Sequence, residues 1–495
     1  MICYQNELYY LYTIGKNTLN SQYILYLAIK TIDGVIHKTL KISVIDLGFN
    51  SLKLVNYYVN TDNSYKAYEQ QGIRVRLGAN LSETGLLSRE SIDSTINALK
   101  LFRDKINFQS INYAIAVATS AVREAANKDD FLREVYEKTR FQFRVLSGKE
   151  EALFSYLGAI KSTCIPTAVF FDLGGGSLEI VYTENFRIKQ FMSLPLGSLR
   201  LSQIYSREGG PYSKKNYLRM QSHILKTLPS SKELGKITEA TLIGVGGTLR
   251  SIAGYDQEIK NYALDKIHNY NIDYESIECI NRRLFKMTPC QIARIDAIGS
   301  NRAETITAGS CVINMLMRKL AFGKIVISTH GLREGVLSSF LEFPTPFYTE
   351  NINKDQIQNF LRVSCKPGII PESIYSPVKP FAGLIKKQEY KILAHAIKEM
   401  SEITLTGDLE NMFYTIMDKD IRDLSHREQV LLALSIIYTR KPNTAKRLFM
   451  RYRQILKSQD KKSIKKIAAC IGLSTIPERI KPKVKLTAVN ENENE

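Results

Sequence analysis

The chain has 495 residues, too many for one hydrophobic core and enough for about three domains at ~150 residues each. Its apolar fraction of 44% and charged fraction of 24% are ordinary for a globular protein and exclude wholesale disorder. A formal net charge of +19 points to polyanionic partners, and charge alone does not choose among nucleic acid, a phosphate polymer, a nucleotide or an acidic membrane surface.

Seven cysteines are scattered without a CxxC pair, which predicts reduced, mostly buried thiols and no zinc site. No apolar run is long enough to cross a bilayer, and no signal-peptide pattern opens the chain, so the expected location is cytoplasmic. Residues 1–40, rich in Tyr, Asn and Ile, lack clean periodicity and carry no predicted function.

Residues 41–55 (KISVIDLGFNSLKLV) read as an apolar strand ending on Asp46, a turn, and a second strand. Ser88 to Asn107 has helical spacing, with Ile92, Ile96, Leu99, Phe102 and Ile106 on one face. Tyr113 to Ala118 is a short buried strand, Ala121 to Thr139 a helix, Phe141 to Leu146 a strand, and Lys149 to Ile160 a helix. The stretch Val169 to Val181 (VFFDLGGGSLEIV) is a hairpin whose turn is almost free of side chains, and Asn185 to Leu196 continues its sheet. Arg207 to Lys215 is a surface loop, Asn216 to Leu228 a helix, and Ala240 to Val245 a strand leading into Gly244-Val245-Gly246-Gly247-Thr248. Ile292 to Leu320 reads as largely helical, Lys324 to Ser328 as a strand, and Gly331 to Leu341 as a helix start. Strands alternating with helices predict mixed sheets covered on both faces. From Phe343 prolines intervene, residues 387–476 read as a helical bundle, and Asn490 to Glu495 as a disordered tail.

The two hairpins are copies. Set Asp46 beside Asp172, and Asp, Leu, Gly, Ser, Leu and Val recur in register from Asp46 to Val55 and from Asp172 to Val181 without a gap. Two Asp-x-Gly turns on duplicated halves, with a later Gly-x-Gly-Gly-Thr turn, describe a phosphate held between two domains. Backbone N–H groups and the hydroxyls of Ser51 and Ser177 would converge on phosphoryl oxygens, with Asn50 an added neutral donor. Asp46 and Asp172 would face the same point and hold Mg²⁺.

The paired hairpins resemble phosphate loops one and two of the acetate kinase/sugar kinase/heat-shock/actin superfamily. Within it, residues 41–340 resemble the exopolyphosphatase/guanosine pentaphosphate phosphohydrolase family. The resemblance rests on Asp46-Leu-Gly-x-Asn50-Ser51, Ala118-Thr119-x-x-x-Arg123, Ser147-Gly-x-Glu150-Glu151-Ala152, Asp172-Leu-Gly-Gly-Gly-Ser177-x-Glu179, Gly244-x-Gly-Gly-Thr248 and Leu332-Arg333-Glu334-Gly335, in this order and spacing. It implies two duplicated actin-like (ribonuclease H-like) α/β domains around a cleft, at 41–164 and 165–342. A degenerate all-α HD-like C-terminal domain follows at 343–489, then the tail at 490–495.

The resemblance also implies roles. Glu151 matches the catalytic base that deprotonates water, and the bland alternative is that Glu150 and Glu151 only complement a helix N-terminus. Arg123 matches the arginine that binds the terminal phosphoryl; otherwise it is a surface ion pair near Glu124 and Arg133. Phosphate binding falls to Asn50, Ser51, Gly174, Gly175, Gly176, Ser177, Gly246, Gly247 and Thr248, and metal binding to Asp46, Asp172 and Glu179. Gly244 to Thr248 alternatively binds a nucleoside or only packs tightly, and Glu179 is alternatively a cross-strand charge opposite a lysine. Arg333 and Glu334 are expected to pair structurally. Phe49 departs from the small residue usual in the family and would reshape the first loop.

In the C-terminal region Tyr438-Thr439 replaces the expected His-Asp, so His395 and His426 are read as core or surface residues and no metal site is expected. Basic clusters such as Lys461-Lys462 and Lys465-Lys466 would line a surface for a long polyanion or simply be solvated. The expected function is processive, Mg²⁺-dependent removal of terminal phosphate from inorganic polyphosphate. Hydrolysis of guanosine pentaphosphate is the rival within the enzyme class, and an inactive polyphosphate- or nucleic-acid-binding regulator the rival outside it. No membrane or nucleic-acid partner is expected for the enzyme, and a homodimer is.

Overall fold

A computed structural model describes residues 40–474, except 61–62, 207–211, 236, 238, 403–408, 420, 422–423 and most of 343–384, where only Val378 and Phe381 are described. The expectations for residues 1–39, for the loop tip at 207–211 and for the tail at 490–495 lie outside these residues. The chain divides into two compact units. The first holds both sheets; the second joins residues 162–164 and 257–270 to the C-terminal helices.

In the first unit the sheets repeat one design. Sheet one has strands β1 (Leu40–Leu47), β2 (Ser51–Val59), β3 (Tyr65–Arg74), β4 (Tyr113–Ala118) and β5 (Phe143–Val145) in the order β3-β2-β1-β4-β5. Sheet two has β6 (Ala168–Leu173), β7 (Leu178–Glu184), β8 (Arg187–Leu194), β9 (Thr241–Val245), β10 (Asn271–Asp273) and β11 (Lys324–Ile327), in the order β8-β7-β6-β9-β11-β10. Each begins with an antiparallel three-strand meander and adds a parallel strand beside its first. Asp46 pairs with Lys53 in one, and Asp172 with Glu179 in the other. Even the turn bonds match: Gly48 N–H donates to the Ser51 carbonyl at 3.1 Å, and Gly174 N–H to that of Ser177 at 3.0 Å. Both central strands are almost wholly buried, as strands covered on both faces must be.

Departures from the expected elements have local causes. The helix expected over Ala121 to Thr139 is two, Ser120–Glu124 and Lys128–Thr139. The Asn127 amide leaves the helix to bond both the N–H and the carbonyl of Leu87, a side-chain competition that breaks helices. Of the stretch from Ile292 to Leu320 only Ile306–Leu320 is one long helix; turns around Gly299, at φ 65°, bring Arg302 to the cleft. Of the five described cysteines only Cys311 and Cys470 are buried, while Cys279 and Cys290 are exposed, which corrects the expectation of mostly buried thiols.

The helices Gly148–Thr163 and Leu332–Glu342 touch backbone to backbone. A Cβ at Gly335 would lie 1.8 Å from the Phe154 carbonyl oxygen, and one at Gly158 would lie 2.0 Å from that of Gly331. The first helix carries Glu151 and the second carries Arg333, so this contact fixes two cleft residues together.

In the second unit four helices (Lys387–Glu402, Leu409–Asp418, Pro442–Arg451, Asp460–Ser474) surround His426–Tyr438, whose sides are nearly all buried. Ser425 and Glu428 form a capping box at its start. His426 is a core residue, with Nε2–H donating to the His268 carbonyl at 2.8 Å and Nδ1 accepting from Tyr262 at 3.1 Å.

Gly335→Ala is expected to destabilise the protein by about 1–3 kcal/mol through overpacking, read by urea unfolding. Gly472→Ala, where a Cβ meets nothing within 4 Å, should be neutral or stabilising; equal effects at both positions would refute the backbone contact.

Candidate active site

Peptide planarity sets the site. In a trans peptide the carbonyl and the following N–H point in opposite directions, so tying down one aims the other. In the second turn, the Gly174 carbonyl accepts from Ser198 N–H at 3.0 Å, that of Gly175 from Leu199 at 2.9 Å, and that of Gly176 from Arg200 Nε at 2.8 Å. The amides of Gly175, Gly176 and Ser177 therefore face away from the helix Ser198–Tyr205, and Gly174, Gly175 and Ser177 line the cleft. The first turn obeys the same rule. Gly78 N–H takes the Phe49 carbonyl at 2.8 Å, while Val75 and Arg76 take that of Asn50 at 3.1 and 2.9 Å. A third turn at Gly246 needs glycine, since its φ is 115° and a Cβ would lie 2.5 Å from the Leu173 carbonyl oxygen.

About 930 Å³ of open space lies among these turns. Its walls gather Asp46, Asn50, Ser51, Glu151, Asp172, Gly174, Gly175, Ser177, Glu179, Gly246, Gly247 and Thr248. Of the expected site residues, Gly176 sits behind the second turn against Phe49, and Arg123 is engaged by Glu151. Arg123 Nη1 donates to Glu151 Oε2 and to the Leu146 carbonyl, each at 2.8 Å. The two neighbouring glutamates have separate jobs. Glu150 closes the capping box with Ser147 and pairs with Arg144, so the helix N-terminus is served and Glu151 is left to the cleft.

Four carboxylates face four cations here: Asp46, Glu151, Asp172 and Glu179 against Lys53, Arg250, Arg302 and Arg333. Burial pushes the Glu151 carboxyl up to about 7, helped by Asp172 and Asp46 and opposed by Arg123. Burial also raises Asp172, against the bond from Ser155 (2.8 Å) and the charge of Lys53. Glu179 is raised well above the carboxylate range, by burial first and then by Glu151 and Asp172. The Lys53 ammonium falls to about 8 because burial outweighs Asp46, and Arg250 falls to about 10.

Among the described residues, no group of three or more His, Cys, Asp or Glu forms a metal cage. Asp46, Asp172 and Glu179 are thus not a ready-made three-carboxylate site, and Glu179 is held by Ser193 at 2.8 Å. Glu334 accepts from Tyr57 (2.7 Å) and the Gly331 N–H (2.8 Å), and against its burial the Arg333 charge holds its carboxyl low, in keeping with the expected pairing; Arg333 also lines the cleft, which was not expected. Arg333 Nη1 and Asn50 Oδ1 are buried without a hydrogen-bond partner. Lys53, Arg250 and Arg302 went unread in the sequence. Lys53 could have been found, because it stands where the second hairpin has Glu179.

The family model of the Ppx/GppA phosphatases matches residues 60–343. The chain belongs to the Ppx/GppA phosphatase family. It is 27% identical over 326 residues to a bifunctional 3-dehydroquinate synthase/phosphatase of Fusobacterium nucleatum, a match covering 63% of this chain and 48% of that protein. The chain thus spans about half the length of that relative. It is 26% identical over 314 residues to exopolyphosphatase 2 of Mycobacterium tuberculosis, covering 60% of this chain and 98% of the other. The crystal structure of a Ppx/GppA member from Aquifex aeolicus superposes with a TM-score of 0.51 at 26% identity, covering 61% of this chain and 97% of that one. An exopolyphosphatase from Cytophaga hutchinsonii shares the fold, with a TM-score of 0.56 at 23% identity over 61% of this chain and 98% of that one.

The raised Glu151 carboxyl has a signed consequence. Its ordinary value is 4.5, so between there and about 7 the folded state holds a proton that the unfolded chain has lost. Stability contributed by this group is therefore lost as pH rises through that window. Glu151→Gln should be more stable than the parent at pH 8, by on the order of 1–3 kcal/mol, with the difference vanishing near pH 4. Urea unfolding at both pH values in chelator measures this, and equal stabilities at pH 8 would contradict it.

Proposed function

We propose that the protein is an exopolyphosphatase, a phosphoanhydride hydrolase that removes the terminal phosphate of inorganic polyphosphate. The observation that carries this reading is a buried carboxyl, Glu151, held by Arg123 on the wall of one cleft with two turns whose amides face it. The terminal phosphoryl sits between the turns, with Ser51, Ser177, Thr248 and the amides of both loops on its oxygens. Glu151 takes a proton from water as that water's oxygen attacks phosphorus in line. The bridging P–O bond then breaks, and the shortened chain leaves as an anion. Arg123 works through Glu151, holding the carboxylate in place and favouring its ionised form. Arg333, with its unsatisfied Nη1, and Lys53 are suited to the phosphate oxygens.

Asp46, Asp172 and Asn50 Oδ1 are hard oxygen donors, and this set suits Mg²⁺, which takes one or two carboxylates and completes its shell with water and phosphate. When bound, the ion would neutralise charge on the phosphoryl oxygens. Glu179 then serves as a neighbour of the site rather than a direct ligand.

The second unit supports a long polyanion. Residues 440–466 expose eleven lysines and arginines, and their one acid, Asp460, is buried against Arg427. Such a surface suits processive retention of the chain. We read 41–164 and 165–342 as two actin-like domains, on the repeated strand order, and 343–489 as a degenerate HD-like domain, on its helices. A cytoplasmic homodimer completes this reading.

Purified protein with Mg²⁺ is offered long polyphosphate, tripolyphosphate, guanosine pentaphosphate and ATP in parallel. Release of phosphate fastest from long polyphosphate is expected. Fastest release from guanosine pentaphosphate would replace the substrate, and release from none would point to a regulator. Glu151→Gln should lower kcat by about 100-fold or more while polyphosphate binding persists. Raising salt from about 50 to 200 mM should weaken binding about tenfold or more, by the counterion-release logic known for nucleic acid.

A further inference from the structure

Arg200, which the reaction above does not use, touches both turns of the cleft and the segment that holds the base. Its Nε donates to the Gly176 carbonyl in the second turn at 2.8 Å. Its guanidinium carbon lies 5.2 Å from the centre of the Phe49 ring, in the first turn. Its Nη2 donates to Glu124 at 2.5 Å, next to the Arg123 that grips Glu151. The Arg200 side chain is 12% exposed and that of Glu124 39%, so the carbonyl and ring contacts are sheltered while the ion pair lies at the surface.

Phe49 makes the arrangement tight. Its ring is buried and rests on Gly176, where a Cβ would lie 2.4 Å from it, and on Gly78, where the gap would be equally short. Asn50 lies against Gly175, whose Cβ would be 3.3 Å away. The turns of the two sheets are therefore in direct contact, with the Arg200 guanidinium over the aromatic ring at their junction.

We propose that Arg200 is a positioning residue that sets the spacing of the two phosphate turns and couples it to the Arg123–Glu151 pair. Only a planar fork can reach a carbonyl, a carboxylate and a ring face together; a lysine ammonium can satisfy one or two of them. The turns stabilise a transferring phosphoryl only while their amides share one centre, and a displacement of about 1 Å costs on the order of 100-fold in rate. Lys53, Arg250, Arg302 and Arg333 would still hold the anion when the turns separate. The loss therefore falls on kcat rather than on KM. This kinetic consequence rests on the exopolyphosphatase reading; the coupling of the turns does not.

The test compares Arg200→Met, Arg200→Lys and Glu124→Gln with the parent, by hydrogen–deuterium exchange of residues 47–51 and 173–177 and by kcat and KM on polyphosphate. In Arg200→Met, exchange should quicken in both turns while the helix His426–Tyr438 is unchanged, and kcat should fall about 100-fold with KM nearly constant. Arg200→Lys should recover part of both effects, and Glu124→Gln should loosen both turns to a smaller extent. Unchanged turns in Arg200→Met, or loosening of 173–177 alone, would overturn the proposal. If that variant does not fold, Arg200→Lys and Glu124→Gln decide: a first turn that exchanges as in the parent in both of them overturns it. If the parent releases no phosphate from polyphosphate, the exchange result still decides the role of Arg200, and only the substrate reading fails.

Discussion

The structure depends on where the carbonyls of two short turns go. A glycine-rich turn presents amides to an anion only if its carbonyls are bonded elsewhere. The second turn gives its three glycine carbonyls to the start of the helix Ser198–Tyr205, and the first gives those of Phe49 and Asn50 to residues 75–78. Each turn is thus aimed by a neighbour remote in sequence. Both aim at a cleft where carboxylates and cations are buried together at considerable desolvation cost.

The helix Gly148–Thr163 links this frame to chemistry. Its first turn places Glu151 in the cleft, and one turn on Ser155 bonds Asp172. Its middle, at Gly158, packs against the helix that begins with Arg333. One rigid element therefore fixes Glu151, one carboxylate of the second turn and, through a backbone contact, a cleft arginine. Arg123 tempers the burial that raises Glu151, leaving a carboxyl that titrates near neutrality instead of one locked in either form.

The duplication was legible in the sequence because Asp, Leu, Gly, Ser and Leu occupy the same places of two hairpins, and the repeated sheet order follows from it. The strand Tyr113–Ala118 was legible as a short apolar run and the helix from Ser88 from the spacing of its apolar residues. β3 was not, because YKAYEQQGIR is half-exposed and mixes charges with apolar residues, leaving no clean alternation. Arg302 and Arg333 could not be assigned either. The first is delivered by irregular turns, and the second stands beside a glutamate that has other partners. The meaning of Lys53 opposite Glu179 needs strand register, which puts a cation in one copy and an acid in the other.

The central claim is that both turns hold one phosphoryl group. A crystal structure of the protein with orthovanadate and Mg²⁺ tests it most directly. The account predicts the anion between Gly48–Ser51 and Gly174–Ser177, within hydrogen-bond reach of amides from both turns. An anion bound to one turn alone, or outside the cleft, would contradict it.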